Sequence, residues 1–310
     1  MSSLTLSVRG LREPPAPLAS LREHLGPTTA LDRFVRADRA EPAWSLAPTA
    51  AGALTALAAG DEPGDAWWAR LDPVHLVAGN DSLRMAPPTL DDDDSATLVA
   101  YLAHELDLPI FRADATHWYA RFAPYDERLH APSEVLGRNI DAYLPRDSGL
   151  LRWINEAQMV LHQHPVNQRR ADHGEPAINC VWPWGGGVIE APDAMPFTRV
   201  CTLRPELKGT ARFHGLEVAA VPRTFADTPH QGDTLVELDA LFEAGRLGAV
   251  ETWVHALRTL VQDWLAPAVH ALDADELASL ILYDGQTAHT LRRGMRWRVW
   301  RRGGFLAAAH

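Results

Sequence analysis

The densest group of chemistry-bearing side chains in this 310-residue sequence is His162-Gln163-His164-Pro165-Val166-Asn167, followed by Arg169, Arg170, Asp172 and His173. Two histidines two residues apart share a face on extended backbone and can then hold one metal ion. At a helix end they diverge, and capping or loop-fixing hydrogen bonds become their ordinary role. Nearby carboxylate partners for a metal are Asp172 and Glu175. Further on, Gly185-Gly186-Gly187 resembles an anion cradle but matches neither Gly-x-Gly-x-x-Gly nor a phosphate loop with Lys and Ser/Thr. Trp182 and Trp184 flank Pro183; on extended chain both indoles face one side, as a platform for a ligand or as a plug between elements. No Gly-x-Ser-x-Gly nucleophile elbow occurs.

The elements that must position these groups alternate. Leu4–Val8 reads as a strand and 18–34 as a helix interrupted near Gly26-Pro27. The small apolar stretch 50–59 ends in the turn cluster Asp61-Glu62-Pro63-Gly64-Asp65. A strand over 67–77 turns at Gly79-Asn80-Asp81 into a second strand at 83–86, which predicts a hairpin. Asp91 to Asp94 precede an amphipathic helix over 95–106, where acidic groups suit the positive end of the helix dipole; calcium is the less fitting alternative, because EF-hand spacing is lacking. Next come one strand over 110–122, a loop or short helix over 132–145, a helix over 149–162 and a polar loop over 162–179. A strand over 181–187 then ends in a glycine loop. Segments 215–221, 234–238, 277–283 and 295–300 read as strands around a long helix over 249–272. This β/α alternation predicts a mainly parallel sheet covered by helices.

Composition narrows the function classes. The hydrophobic content of 46 % can fill a sizeable core, and the formal charge of −11 disfavours nucleic acid or an anionic membrane as partner. The local exception is Arg292, Arg293, Arg296, Arg298, Arg301 and Arg302, interleaved with Trp297 and Trp300. It reads as a half-buried strand, or alternatively as a phosphate-gripping one. Cys180 and Cys201 sit in apolar runs, as buried thiols of a reducing compartment do. With no basic-apolar leader in 1–10 and no apolar window near the ~18 residues of a membrane span, the expectation is a cytosolic protein.

Three linked sub-motifs carry a resemblance: His164-Pro165-Val166-Asn167-x-x-Arg170, Gly174-x-Pro176-Ala177-x-Asn179, and Trp182-x-Trp184-Gly185-x-Gly187. Together they resemble a signature of the archaeal-type cofactor-independent phosphoglycerate mutases and, more closely, of the RpfE-type regulatory proteins. The resemblance implies an α/β fold: an alkaline-phosphatase-like core with a mainly parallel sheet flanked by helices (1–66 and 150–310), and a smaller inserted α/β domain (67–149). It also implies, for the enzymes, a metal pair held by Asp and His and a transiently phosphorylated serine.

This sequence departs from that pattern. Where the enzymes place Asp-Gly after the first strand it has Val8-Arg9-Gly10; within 47–59 there is no serine, only Thr49 and Thr55; and Asp284 is followed by Gly285 where a histidine would stand. The expectation is therefore a regulatory pseudoenzyme without a cofactor, binding a phosphorylated small molecule or a protein partner. Its candidate binding residues are Arg70, His164, Asn167, Arg170, Asn179, Trp182, Trp184, Gly185, Gly186 and Gly187. An alternative role for the same residues is to fix the hinge between core and insert. The competing functional reading is a divergent phosphomutase or phosphatase using manganese or zinc on a site rebuilt from His75, His162, His164 and Asp284.

Overall fold

The computed structural model describes residues 2–17, 21, 29–46, 49–79, 82–86, 89–190, 194–229, 231–295 and 304–305. Its strands, in chain order, are β1 (Ser2–Val8), β2 (Asp38–Ala40), β3 (Trp68–Ala78), β4 (Leu83–Ala86), β5 (Ile110–Arg112), β6 (Trp118–Arg121), β7 (Cys180–Gly187), β8 (Arg199–Cys201), β9 (Glu217–Ala219), β10 (Thr234–Leu238), β11 (Leu277–Tyr283) and β12 (Ala288–Arg292). The chain forms two compact units. The first comprises Met1–Ser45, Asp193–Leu203 and His214–His310; the second comprises Leu46–Pro192 and Arg204–Phe213. The second contains the whole of 67–149 and extends beyond it on both sides.

The first unit is built on a sheet of order β2-β12-β11-β1-β10-β8-β9. Pairing is parallel from β11 through β1, β10 and β8 to β9, and antiparallel at β12 and β2. The mainly parallel sheet expected from β/α alternation is thus present. The central strand β1 is buried along almost its whole length, as a strand covered on both faces must be. Leu4, Leu6 and Val8 pack with Phe34, Trp253, Leu257, Trp264, Leu265 and Leu280 into one core. The long helix expected over 249–272 runs as Val250–Thr259, a π-helical turn Leu260–Leu265, and Ala266–Asp273. Pro267, which has no N–H to give, opens the helical segment after the π turn.

The second unit has an antiparallel sheet, β4-β3-β6-β5, with β7 also paired to β3. The hairpin of β3 and β4 forms as expected, although residues 80 and 81 of its turn lie outside the described residues. Helix Asp92–Glu105 is capped by Asp91, whose side chain accepts from the Asp94 amide, with three aspartates in the first turn; the capping reading of the acidic run holds.

Several expectations are corrected. Residues 110–122 form two antiparallel strands, not one, because Asp114 accepts from the Thr116 and His117 amides and folds the chain back. The stretch 162–179 is not all loop: Pro165–Asp172 is a helix, started by Pro165 at its first turn. The three glycines from 185 to 187 lie within β7, not in a loop after it. The strand at 295–300, most of the arginine run and most of the 18–34 helix fall outside the described residues, where only Thr29–Asp32 and a 3-10 turn at Arg33–Arg36 continue the latter. Among the described residues no helix is long and apolar enough to cross a membrane.

Candidate functional site

In the second unit the signature residues converge on the unit's own backbone. His164 caps the Pro165–Asp172 helix, its Nδ1 accepting from the Val166 amide at 3.1 Å. Burial, aided by the nearby Arg169 charge and opposed by Asp94, pulls the His164 pKa below its ordinary value, which keeps that nitrogen an acceptor. Asn167 donates to the carbonyls of Leu161 and Ile178 and accepts from the Ile178 amide, each at 2.8 Å. Arg170 is buried and donates to the carbonyls of Pro176 and Thr89, with Glu175 at 3.1 Å. Asn179 bridges both backbone groups of Leu76 on β3. The first two sub-motifs therefore act as a staple that ties helix Pro165–Asp172 to the chain entering β7.

The third sub-motif is held in the same way. Trp182 is buried and donates from Nε1 to the His130 carbonyl at 2.7 Å; Trp184 donates to Asp72 Oδ2 at 2.7 Å. A Cβ at Gly185 would stand 2.6 Å from the Ala51 Cβ, and one at Gly187 3.2 Å from the Ala50 Cβ. These glycines admit helix Ala51–Ala59 against the strand, and Gly185 also adopts a positive φ of 57° at the bulge between β3 and β7. A Cβ at Gly186 would meet the Tyr125 hydroxyl at 2.4 Å.

Arg70 lies at the centre of a buried ionic group that sequence reading saw only in part. Its Nε and Nη2 donate to Asp72 Oδ1 at 3.0 and 2.5 Å, and its Nη1 donates to Glu206 at 3.1 Å and to the Thr55 hydroxyl at 3.4 Å. The Trp184 ring faces the guanidinium at 5.1 Å. Burial pushes the Glu206 carboxyl up, but Arg204 and Arg70 overcome this and hold it below its ordinary range. At Asp72 burial prevails over Arg70 and the pKa rises. Beside this group, Asp114 and His117 pair at 2.7 Å. Arg70 and Asp72 are two apart on one strand and so share a face, a signal present in the sequence. Glu206 carried none, and Thr55 stood out only as a threonine where a serine was expected.

The three histidine candidates for a metal all lie in the second unit. His75 is bonded through Nδ1 to the Ala177 carbonyl at 2.7 Å, His162 is exposed at the end of helix Ser148–His162, and His164 is spent as a cap. Asp284 belongs to the first unit. Its carboxylate accepts from Arg12 Nε at 2.6 Å, from His289 Nε2 at 2.8 Å, and from the amides of Gln286 and Thr287. Burial raises its pKa, but these donors, His289 foremost, bring it down to about 2. Among the described residues no three His, Cys, Asp or Glu side chains gather as a metal would require. Among the described residues a two-metal phosphotransfer site finds no fit: the strand end offers Arg9, and the oxygens of Asp284 already hold four donors. Of the two threonines near the expected nucleophile position, Thr49 is exposed and Thr55 is fully buried beneath Arg70.

The chain is distantly similar to the archaeal cofactor-independent phosphoglycerate mutases. The 2,3-bisphosphoglycerate-independent phosphoglycerate mutase of Methanosarcina mazei is 28 % identical over 240 residues, covering 67 % of this chain and 60 % of that protein. The Methanosarcina barkeri protein of the same name is 28 % identical over 192 residues, 53 % of this chain and 48 % of its own. The one from Methanothrix thermoacetophila is 30 % identical over 167 residues, 46 % and 42 %. The chain thus spans between two-fifths and three-fifths of the length of these relatives. No protein-family model matches it. Among solved structures, the PH0037 protein from Pyrococcus horikoshii aligns over 93 % of this chain and 86 % of its own at 13 % identity, with a TM-score of 0.47. The cofactor-independent phosphoglycerate mutase from Thermoplasma acidophilum aligns over 94 % and 90 % at 14 % identity and a TM-score of 0.39.

Proposed function

We propose that this chain is a phosphoglycerate-mutase-like pseudoenzyme, a regulatory or binding protein of the RpfE type that works in the cytosol without a two-metal phosphotransfer site. The observation that carries the reading is the Arg12–Asp284 contact at 2.6 Å. A carboxylate already matched by a guanidinium, an imidazole and two amides has no electrostatic reason to recruit a cation. The partner in this reading is a protein or a phosphorylated small molecule. The engagement of Arg70, Asn167, Arg170 and Asn179 by the chain's own groups favours the protein, since a phosphate would have to compete with carboxylates and carbonyls already in place.

The experiment is to purify the chain free of metal, add manganese, zinc, magnesium or cobalt in turn, and measure bound metal together with mutase and phosphatase turnover. Absence of stoichiometric metal and of turnover in a folded protein is the expected result. Two tightly bound metals per chain with turnover would establish the divergent metal-dependent enzyme instead.

A further inference from the structure

At the carboxyl ends of three neighbouring parallel strands, the first unit sets its charges in an ordered row. β10 runs into Asp239, β1 into Arg9 and then Arg12, and β11 into Asp284, with β1 between the other two. Each flanking strand contributes a carboxylate, and the central strand answers each with a guanidinium: Arg9 to Asp239 at 3.5 Å and Arg12 to Asp284 at 2.6 Å. This is the end of an open parallel sheet at which α/β proteins bind ligands. Phe242 stacks under the Arg9 guanidinium at 4.0 Å, while the imidazole of His289, buried and edge-on to Phe305 at 5.0 Å, holds the far side of Asp284.

We infer that Arg12 is a built-in counter-ion, standing in this chain where a divalent cation would otherwise compensate Asp284, and that it closes this edge to metal. The inference rests on the pseudoenzyme reading and adds the residue responsible. A guanidinium suits the task because it stays charged at every accessible pH and presents fixed donors to a carboxylate. The Asp284 side chain is fully covered and Arg12 is 30 % exposed, so the neutralising charge comes from the solvent side, where an ion would enter. Removing Arg12 deprives a covered carboxylate of its guanidinium partner.

The test uses the full chain as Arg12→Met, Arg12→Lys and Arg12→Met/Asp284→Asn, with thermal unfolding read with and without millimolar manganese and manganese binding read by electron paramagnetic resonance. Arg12→Met is expected to lower Tm by roughly 5 °C or more. Millimolar manganese should bind that variant weakly, with Asp284 and His289 as its two protein ligands and water completing the shell, and restore part of the loss, because a ligand of the folded state stabilises it. Arg12→Lys, which keeps the charge, should hold most of the Tm and ignore manganese; the double variant should recover Tm and lose the manganese response. An Arg12→Met protein with wild-type Tm and no manganese binding overturns the inference while leaving the pseudoenzyme reading intact. Manganese stabilisation of the wild type that Asp284→Asn abolishes overturns both. Should Arg12→Met not fold, the double variant decides: folding supports the inference, and failure to fold overturns it.

Discussion

Arg70 and Glu206 are 136 residues apart in the chain and meet at 3.1 Å in the interior of the second unit. Glu206 opens the helix Pro205–Phe213, the one segment beyond residue 192 that belongs to this unit, and the contact fixes it against β3. Arg70→Met strands two buried carboxylates and should cost about 3–5 kcal/mol; Glu206→Gln, which keeps the shape and one acceptor, about 1–3 kcal/mol. Urea denaturation measures both. Because the two residues share one network, the double variant should lose less than the sum. Losses near zero would mean that the ionic group is not what holds the helix.

The same helix depends on a glycine. A Cβ at Gly209 would stand 1.8 Å from the Leu54 carbonyl oxygen, and backbone there cannot yield. Gly209→Ala should force helices Ala51–Ala59 and Pro205–Phe213 apart and destabilise by about 1–3 kcal/mol or more. Gly174→Ala makes the comparison: φ is +71° but nothing lies within 4 Å, so only the backbone preference, about 1 kcal/mol, is lost. Thermal unfolding of the two variants side by side checks the order.

His164 makes stability depend on pH. Its folded pKa lies below the unfolded value, so the folded state favours the neutral ring. That contribution is complete above about pH 6.5 and is lost as pH falls through the folded pKa, when protonation removes the acceptor for the Val166 amide. His164→Asn keeps a capping acceptor without the titration. Its Tm should match the wild type within a few degrees at pH 7.5 and fall less steeply toward pH 5. An unchanged slope would exclude His164 as the titrating group.

Both thiols should be silent. Burial pushes Cys180 up to about 12 and Cys201 up to about 11, and both side chains are buried. A disulfide reagent at mildly alkaline pH should modify neither in the native protein and both after unfolding in guanidinium. Rapid native modification of either would show that its strand opens locally.

Local chemistry made much of this chain readable from its sequence. The alternation of β1, the Asp91 cap, the β3–β4 hairpin and the long helix before β11 follow from spacing and capping, because those forces act within a few residues. The same locality explains the errors. The turn at Asp114 divides a run that alternates like one strand, and Pro165 starts a helix inside a stretch too polar to look helical. The sequence by itself determined which chemistry-bearing residues exist: Arg9 after the first strand, Gly285 after Asp284, and no serine within 47–59. Only the tertiary structure decided which partners they meet. Whether Arg70, Asn167 and Arg170 face a ligand or their own chain, and whether Asp284 faces a cation or Arg12, depends on partners up to 272 residues away. Hydrogen-bonding capacity is finite, so each partner the fold supplies leaves a side chain fewer donors and acceptors to offer elsewhere.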